Sequence, residues 1–174
     1  MAVKKIITYP DPVLRQAALP VTEFDDELKQ LIADMAETMY AAPGVGLAAN
    51  QVGVCRQVVV IDIAPATEES RLIVLVNPEI TSHEGDVVDE EGCLSVLELS
   101  ANVKRYKKIC IQAQDSDGEP IEFETEDFLA RVIQHELDHL QGKLFIDRIS
   151  SLKRALYKKR LKKILLEKKD EKQE

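Results

Sequence analysis

The sequence predicts a single α+β domain in which antiparallel β-sheets pack around a central helix. Its 174 residues suit one compact domain with its own core. Strand-like runs at residues 56–64, 71–80 and 103–115 follow one another without helical segments between them, which favours antiparallel pairing over βαβ units. A mostly apolar helix at residues 126–141 follows these runs. Further helices are predicted before the runs and at the C-terminal end.

An irregular arm and an amphipathic helix precede the predicted sheets. The stretch YPDPVLRQAALPV, at residues 9–21, contains three prolines and is therefore predicted to be irregular. Residues 25–41 carry apolar side chains at helical spacing after two acidic residues, an arrangement that suits the helix dipole. Pro43 and Gly44 then end this helix.

Turn residues separate the strand-like runs. Pro65 and polar residues lie between the first two runs, and Asp117-Gly118 provides a hairpin turn before a short run at residues 121–125. His83 lies in the polar segment TSHEGD, where we expect a turn. Cys55 and Cys110 lie in or beside the runs, so we expect them to be core residues.

The helix at residues 126–141 is predicted to be mostly buried. Thr125 is a suitable N-cap and Gly142 a suitable C′ residue. Around the helical wheel, the polar residues form one narrow stripe and the apolar residues cover most of the remaining surface. His135 and His139 lie on the apolar part, so both are predicted to point inward. The polar stripe consists of Arg131, Gln134, Asp138 and Gln141.

The C-terminal end is predicted to be a basic helix on an acidic body. Residues 152–174 contain ten basic and four acidic residues, a net charge of +6, whereas the rest of the chain carries −14. This asymmetry indicates a polyanionic partner for the tail. We therefore divide the single domain into a catalytic part, residues 1–150, and a basic helix and tail, residues 151–174.

The apolar residues of this basic helix form two patches that face different directions. We expect the first patch to pack against the body and the second, set among lysines, to remain free for a partner. Residues 157–174 are then expected to be removable without loss of catalysis. The first patch is Leu152, Ala155 and Leu156, and the second is Tyr157, Leu161, Ile164 and Leu165.

The composition favours a cytoplasmic protein. Three cysteines are an odd and sparse set, which argues against a disulfide framework and for a reducing compartment. The first residues contain no secretory signal, and no segment approaches the roughly 20 apolar residues of a membrane span. We therefore expect no membrane partner.

The segment QHELDHLQG, residues 134–142, contains the pattern H-E-x-x-H. On a helix, His135 and His139 lie on one face and can bind one metal ion, and burying both without partners would cost free energy. Glu136 lies about a quarter turn away from the two histidines. It is well placed there to take a proton from a metal-bound water.

The third metal ligand is predicted to come from upstream. Phe145 occupies the position at which the three-histidine type of this motif has its last histidine. The first glutamate after the helix, Glu167, lies in the basic tail, and His83 lies in a predicted turn. Cys93, in DEEGCLSV, is the strongest remaining candidate. A site of one cysteine and two histidines leaves one position open for water, as catalytic sites do.

Three segments resemble the signature motifs of the peptide deformylase family, in the family's order and at comparable spacing. They are GVGLAANQVG at residues 44–53, EGCLS at residues 91–95 and QHELDHLQG at residues 134–142. The segment YPDPVLR is also similar to that family's N-terminal arm. The resemblance covers roughly residues 1–165 and implies an α+β fold with antiparallel sheets around the metal helix.

This resemblance implies a reaction and a set of residues that perform it. The reaction is hydrolysis of the N-formyl group from the N-terminal formyl-methionine of new polypeptides, with release of formate. Glu136 would be the general acid/base, and Gln51 and the backbone N–H of Leu94 would stabilise the oxyanion. The metal ligands would be Cys93, His135 and His139. Val45, Gly46, Phe128 and Val132 would bind the substrate, and Glu91 and Arg105 would form a supporting ion pair.

The resemblance also implies a cofactor and partners. The cofactor would be one divalent metal ion, Fe²⁺ in the native protein, with zinc, nickel or cobalt as substitutes in preparations. The partners would be N-formyl-methionyl nascent polypeptides and, through the basic C-terminal helix, the ribosome, but no sequence-specific nucleic acid. Asn50 stands where the family commonly has threonine, and Ser100 replaces an arginine that helps bind the peptide in many members. These departures concern substrate affinity and not the reaction.

Three other functions fit part of the sequence. GVGLAA, with Asp62 beyond it, matches a relaxed dinucleotide-binding pattern, but that pattern needs a strand before the glycines and a helix after them. A non-enzymatic protein that binds ribosomes or nucleic acid would explain the basic tail but not Cys93 with two inward histidines. A general endopeptidase would explain H-E-x-x-H, and the segment EGCLS argues against it.

Overall fold

The computed structural model describes residues 2–173, and within this range it contains three α-helices and one five-stranded sheet. The strands lie in the order β1-β2-β3-β4-β5, and each neighbouring pair is antiparallel. The α+β class is therefore confirmed. The elements are α1 (Asp26–Ala41), β1 (Gly46–Ala48), β2 (Val58–Ile61), β3 (Ile73–Cys93), β4 (Val96–Gln114), β5 (Pro120–Glu126), α2 (Asp127–Leu140) and α3 (Ser151–Glu171).

Strand β2 contributes side chains to two hydrophobic clusters because alternate residues of a strand point to opposite faces. Val59 and Ile61 pack in the cluster that contains α2, whereas Val58 and Val60 pack in the cluster that contains α1. All four side chains are fully buried. A strand covered on both faces needs a continuous apolar run, which explains the sequence VVVI.

Helix α1 forms where the sequence predicts it. The side chain of Asp25 accepts a hydrogen bond from the backbone N–H of Leu28 at 2.9 Å and caps the first turn. The apolar residues at helical spacing, including Met35 and Met39, are buried against the sheet. The backbone N–H of Gly44 donates to the carbonyl of Met39 just beyond the last turn.

The turn predicted around His83 is wrong. His83 lies within β3, pairs with Ile109 of β4, and stacks on the ring of Tyr106 with centroids 3.7 Å apart. Residues 81–86 are exposed, so this part of the strand is held by hydrogen bonds to β4 and shows no alternation of apolar residues. The two other cysteines also differ from expectation, since Cys55 and Cys110 are half-buried rather than core residues.

Helix α2 packs against β1, β2, β4 and β5. Its N-cap is Glu126 rather than Thr125, because Thr125 lies in β5 and pairs with Ile109 of β4. Gly142 has a φ of 72°, the left-handed conformation expected of a C′ glycine. The polar stripe is mostly buried: Arg131, Gln134 and Asp138 are each less than a tenth exposed.

Helix α3 packs with the face opposite to the predicted one. Tyr157 and Leu161 lie in a third hydrophobic cluster with Phe145, whereas Leu152 and Leu156 are 69% and 59% exposed. Tyr157, Leu161 and Ile164 recur at i, i+4 and i+7, which makes the longer apolar stripe along the helix. Deletion of residues 157–174 would therefore remove core side chains. Among residues 2–173, no helix combines the length and apolar character that crossing a membrane requires.

Candidate metal centre and active site

The structure brings together the three predicted metal ligands. Donor atoms of Cys93, His135 and His139 all lie within 4.8 Å of one another. The two Nε2 atoms are 3.3 Å apart, and the Sγ of Cys93 is 3.4 Å from the Nε2 of His139. Cys93 reaches this point as the last residue of β3, while the two histidines lie one turn apart on α2. One thiolate and two imidazoles suit zinc or iron(II).

Glu91 fixes the orientation of His135. Its Oε1 atom lies 2.9 Å from the Nδ1 of His135. Because a carboxylate only accepts hydrogen bonds, Nδ1 carries a proton, and Nε2 is the nitrogen that faces the other two donor atoms. Burial alone would raise the pKa of Glu91, but hydrogen bonds from Arg105 and His135 lower it to about 2.

The predicted ion pair of Glu91 and Arg105 is present and bidentate. The Nε and Nη2 atoms of Arg105 donate to the two carboxylate oxygens of Glu91, both at 2.8 Å. Its Nη1 atom donates to Asp138 at 2.6 Å, and Asp138 also accepts two bonds from Arg148. Arg131 adds a further bond to Glu91, at 2.6 Å.

The thiol of Cys93 is poised to ionise. Burial disfavours its thiolate, but the charges and hydrogen bonds of His139 and His135 outweigh burial and hold the pKa of Cys93 well below its ordinary value. The backbone N–H of Ser95 lies 3.4 Å from the sulfur. A thiolate is the form that binds a metal ion.

Glu136 is buried beside the metal ligands. It is 4% exposed, and its Oε2 atom has no hydrogen-bond partner among the residues that the structure describes. Burial raises the pKa of this carboxyl, and the nearby Cys93 and Glu91 raise it further against the opposing effect of the two histidines. A buried carboxyl group with a raised pKa and a free oxygen is suited both to accept and to donate a proton.

Gln51 presents its amide N–H₂ group to the site. The backbone N–H of Ala48 donates to its Oε1 atom at 3.0 Å, which sets the orientation of the amide. Its Nε2 atom lies 3.0 Å from the Oγ of Ser95 and 3.8 Å from the Sγ of Cys93. The side-chain N–H₂ group of the unusual neighbour Asn50 donates to the carbonyl of Gln16 at 2.8 Å, away from this amide's own partners.

A cavity of about 430 Å³ opens onto these groups. Leu94 lines it beside Cys93, and all four predicted substrate-binding residues line it as well. Phe128 is 52% exposed and therefore forms part of the rim rather than the wall. The four predicted residues are Val45, Gly46, Phe128 and Val132.

A second, larger cavity has a volume of about 720 Å³, and none of the three metal ligands lines it. It is lined by polar residues that include Gln134, Asp138 and Arg148. These groups are already paired, since Gln134 exchanges two hydrogen bonds with the backbone of Tyr106, and Asp138 pairs with Arg148. The smaller cavity is therefore the candidate active site despite its size.

The dinucleotide-binding pattern has the wrong structural context. Helix α1 precedes the glycines of GVGLAA, and Gly46 itself lies in β1. A single 3₁₀ turn, Ala49–Val52, follows the pattern. The carboxylate of Asp62 accepts hydrogen bonds from Tyr40 and Ser70, both at 2.7 Å. The pattern lacks the preceding strand and following helix that bind a pyrophosphate.

Sequence reasoning missed Arg131 as a supporting residue of the site, and it missed the hydrogen bonds that join Gln134 to β4. The helical wheel places both on a polar stripe, and the stripe lies against β3 and β4 instead of solvent. Charge could have indicated Arg131, because a buried Glu91 beside a metal-binding histidine needs cationic partners. Arg131 lies four residues before His135 on the same helix.

Comparison with known proteins places the chain in one family. A sequence model of the polypeptide deformylase family matches residues 3–155. The chain is 54% identical over 167 residues to the peptide deformylase of Desulfotalea psychrophila, an alignment that covers 95% of this chain and 99% of the relative. Its identity to the peptide deformylase of Acidobacterium capsulatum is 49% over 164 residues, covering 94% and 96% of the two chains.

Solved structures agree with this assignment. The crystal structure of a peptide deformylase from Legionella pneumophila superposes with a TM-score of 0.90 at 46% identity and covers 96% of this chain and 98% of its own. The peptide deformylase of Ehrlichia chaffeensis in complex with actinonin gives a TM-score of 0.88 at 34% identity, with 94% and 98% coverage. The chain therefore belongs to the polypeptide deformylase family, whose metal-dependent enzymes remove the formyl group from nascent polypeptides.

Proposed function

We propose that this enzyme hydrolyses the N-formyl group of N-terminal formyl-methionine and releases formate, with Glu136 as general acid/base. One observation carries the proposal: the donor atoms of Cys93, His135 and His139 cluster together, and the first two of these residues line the same cavity as Glu136 and Gln51. In the reaction, water adds to the formyl carbon and the C–N bond breaks. The products are formate and a polypeptide with a free amino group.

The cofactor that we propose is one divalent metal ion held by Cys93, His135 and His139. The donor set supports this assignment, because a thiolate and two imidazole Nε2 atoms converge and Glu91 holds His135 from the far side. When bound, the ion supplies Lewis acidity to water and to the formyl carbonyl. We propose Fe²⁺ as the native ion, and zinc, nickel or cobalt can occupy the same donor set.

Glu136 moves the proton. Its buried carboxylate takes a proton from the attacking water and delivers it to the amine nitrogen as the C–N bond breaks. Two observations support this role: its Oε2 atom is free of hydrogen bonds within residues 2–173, and its pKa is raised mainly by burial. A positioned general acid/base contributes on the order of 10² to 10⁴ in rate.

Gln51 and Leu94 stabilise the oxyanion. The fixed amide of Gln51 offers an N–H₂ group near Cys93 without reorganisation during the reaction, because Ala48 holds its oxygen. The backbone N–H of Leu94 lies next in the chain to Cys93, and Leu94 lines the cavity. A preorganised donor of this kind is worth on the order of 3 kcal/mol.

The methionine side chain is proposed to occupy the apolar part of the cavity. Val45 and Val132 line this part, with Phe128 at its rim. Gly46 would bind the backbone of the substrate, since a residue without a side chain lets a peptide approach closely. These contacts favour a long apolar side chain over a charged one.

The direct test is formate release from formyl-Met-Ala-Ser under anaerobic conditions, with iron-loaded protein. The wild type is expected to release formate, and Glu136→Ala is expected to reduce kcat at least a hundredfold, roughly the scale of a lost general acid/base. Acetyl-Met-Ala-Ser serves as a substrate control, and cleavage of an internal peptide bond would favour the endopeptidase alternative. No formate from iron-loaded wild type would overturn the proposal.

We also propose that the outer face of α3 binds the ribosome. Its support is the distribution of charge on the helix: Tyr157 and Leu161 are buried, while Lys158, Lys159 and Lys162 remain exposed. A lysine-rich face beside an acidic body suits a polyanionic surface such as ribosomal RNA.

A further inference from the structure

We propose that Arg131 is a positioning residue for the metal centre and acts through Glu91 on His135. The hydrogen bonds of Arg131 go to Glu91 and to two backbone carbonyls rather than to a metal ligand, and they complete the set of donors around Glu91. The inference rests on the proposed function, since it concerns the same site. It adds a residue that the signature motifs of the sequence did not indicate.

The carboxylate of Glu91 is saturated by four hydrogen bonds. Oε1 accepts from His135 Nδ1 at 2.9 Å and from Arg105 Nη2 at 2.8 Å. Oε2 accepts from Arg105 Nε at 2.8 Å and from Arg131 Nη1 at 2.6 Å. An ionised carboxylate offers about four lone-pair sites. Arg131 therefore donates to the last of these sites and, together with Arg105, opposes rotation of the carboxylate group.

Arg131 also ties helix α2 to β3, the strand that contains Glu91, and to the neighbouring strand β4. Its Nη1 atom donates to the carbonyl of Val103 in β4 at 2.9 Å, and its Nη2 atom donates to the carbonyl of Val87 in β3 at 3.0 Å. Arg131 lies one helical turn before His135. The helix that carries the histidine and the strand that carries its carboxylate partner are thus fixed to each other at this point.

The guanidinium group is required for this arrangement. Arg131 is 4% exposed and Glu91 is 7% exposed, so both charges are buried and depend on hydrogen bonds for compensation. The planar guanidinium reaches one carboxylate oxygen and two backbone carbonyls at once, which the single ammonium group of lysine does not match. Lysine would keep the charge but lose part of the orientation.

The test measures binding of Co²⁺ alone, by anaerobic titration of apoprotein against a competing chelator. The thiolate–cobalt absorption band reports binding at Cys93. We expect Arg131→Met to weaken Co²⁺ binding about tenfold or more, the scale of lost outer partners of metal ligands, and Arg131→Lys to restore part of it. Formate release from formyl-Met-Ala-Ser is measured in parallel, at saturating metal.

Gln134→Met is the matched control. Gln134 is also buried on α2, and its amide bonds the backbone of Tyr106 in β4, but it is not among the hydrogen-bond donors to Glu91. This variant also loses cross-links between α2 and β4. We expect it to lower the melting temperature while changing Co²⁺ affinity by no more than about twofold, since it leaves the partners of His135 in place.

A double-mutant cycle tests the route through Glu91. If Arg131 acts through Glu91, Arg131→Met costs no further Co²⁺ affinity in a Glu91→Gln background. Equal losses in both backgrounds, or wild-type Co²⁺ affinity in Arg131→Met, would overturn the inference. If Arg131→Met does not fold, Arg131→Lys decides in the same way, and wild-type affinity in that variant counts against the inference. A wild type that gives no thiolate–cobalt band would instead overturn the proposed metal site itself.

Discussion

The carboxylate of Glu136 lies directly against the backbone of Gly46. A methyl group added at Gly46 would stand 2.6 Å from the Oε1 of Glu136 and 3.1 Å from its Cδ and Cγ. Strand β1 and helix α2 thus approach each other closely at the point where the proposed acid/base residue reaches the cavity. The position of this carboxylate depends on the lack of a side chain at residue 46.

Gly46→Ala is expected to lose activity and to keep most of its stability. The added methyl group meets the end of a flexible side chain, so Glu136 can turn away with little cost to folding. Its carboxylate then leaves the catalytic position, and a displacement of about 1 Å can lower a rate on the order of 100-fold. Formate release and thermal melting of the same preparation check both parts.

Gly92→Ala is the matched control for this variant. Gly92 lines the same cavity, but a methyl group there would lie 3.7 Å from its nearest non-adjacent neighbour, the carbonyl oxygen of Leu99. We expect a much smaller loss of kcat from this change. Equal losses in the two variants would show that crowding of the cavity, rather than displacement of Glu136, explains the effect.

The sequence was sufficient to predict the clustered donor residues of the site. It was insufficient to predict the buried polar residues that pack around them. Spacing alone identified His135 and His139, and elimination led to Cys93, because a metal ligand has few chemical alternatives. The buried contacts of Arg131 and Gln134 with the sheet were missed for a physical reason. A helical wheel separates polar from apolar faces, but a polar face buried against strands has the same pattern as one facing water.

The same limit explains the reversal on α3. Two apolar patches are visible in the sequence, and nothing local indicates which one meets the body. The deciding contact is long-range: Tyr157 packs in the cluster of Phe145 and donates to the carbonyl of Leu97 at 2.9 Å. The apolar pattern of one helix does not show which of its faces packs against the rest of the protein. Long-range pairing, such as the full extent of β3 and β4, was underestimated for the same reason.

The attachment of α3 is expected to weaken in alkaline solution. Burial raises the pKa of Tyr157 from its ordinary value near 10 to about 12. A group whose pKa is higher in the folded than in the unfolded protein stabilises the fold fully at pH values below its unfolded pKa. For Tyr157 this stabilisation is lost as the pH rises from 10 through 12. At pH 11 the free energy of unfolding is expected to have fallen by about 1 kcal/mol from this cause. Urea unfolding, followed by helical circular dichroism at pH 9 and pH 11, measures it.

Tyr157→Phe isolates the hydroxyl in this experiment. The variant loses the bond to Leu97 at every pH but has no group to ionise at this site. Its stability is expected to fall less than that of the wild type between pH 9 and pH 11, since other alkaline titrations are common to both proteins. Parallel falls in the two proteins would remove Tyr157 as the cause.

Ser100→Arg is expected to improve binding of longer substrates. Ser100 is exposed and pairs with Gly92, which lines the active-site cavity. A guanidinium there can donate charged hydrogen bonds to substrate carbonyls, each worth about 1.5–3 kcal/mol. We expect KM for formyl-Met-Ala-Ser to fall about tenfold with little change in kcat. The difference should be smaller for formyl-methionine alone.

Asn102→Arg is the control for position. Asn102 lies two residues further along β4 on the same face and pairs with Glu90. The Asn102→Arg substitution adds the same charge as Ser100→Arg, but farther from the turn at Cys93. If both variants lower KM equally, general attraction between an arginine and the peptide explains the gain, and the specific position of residue 100 does not.

Charge removal on the outer face of α3 is expected to weaken ribosome binding and to spare catalysis. Lys158, Lys159, Lys162 and Lys163 are exposed, so changing all four to glutamine leaves the buried Tyr157 and Leu161 in place. Deletion from residue 157 is a poor test, since it would open the third hydrophobic cluster. Co-sedimentation with ribosomes at several salt concentrations measures the effect, and the salt slope should fall by roughly one for each lysine that no longer pairs with a phosphate.

Four lysines elsewhere, Lys5, Lys104, Lys107 and Lys143, are exposed and provide a control variant with the same change in net charge. Equal weakening in the two variants would reduce the proposed ribosome site to an effect of net charge. Unchanged binding in the α3 variant would remove the helix from the interaction.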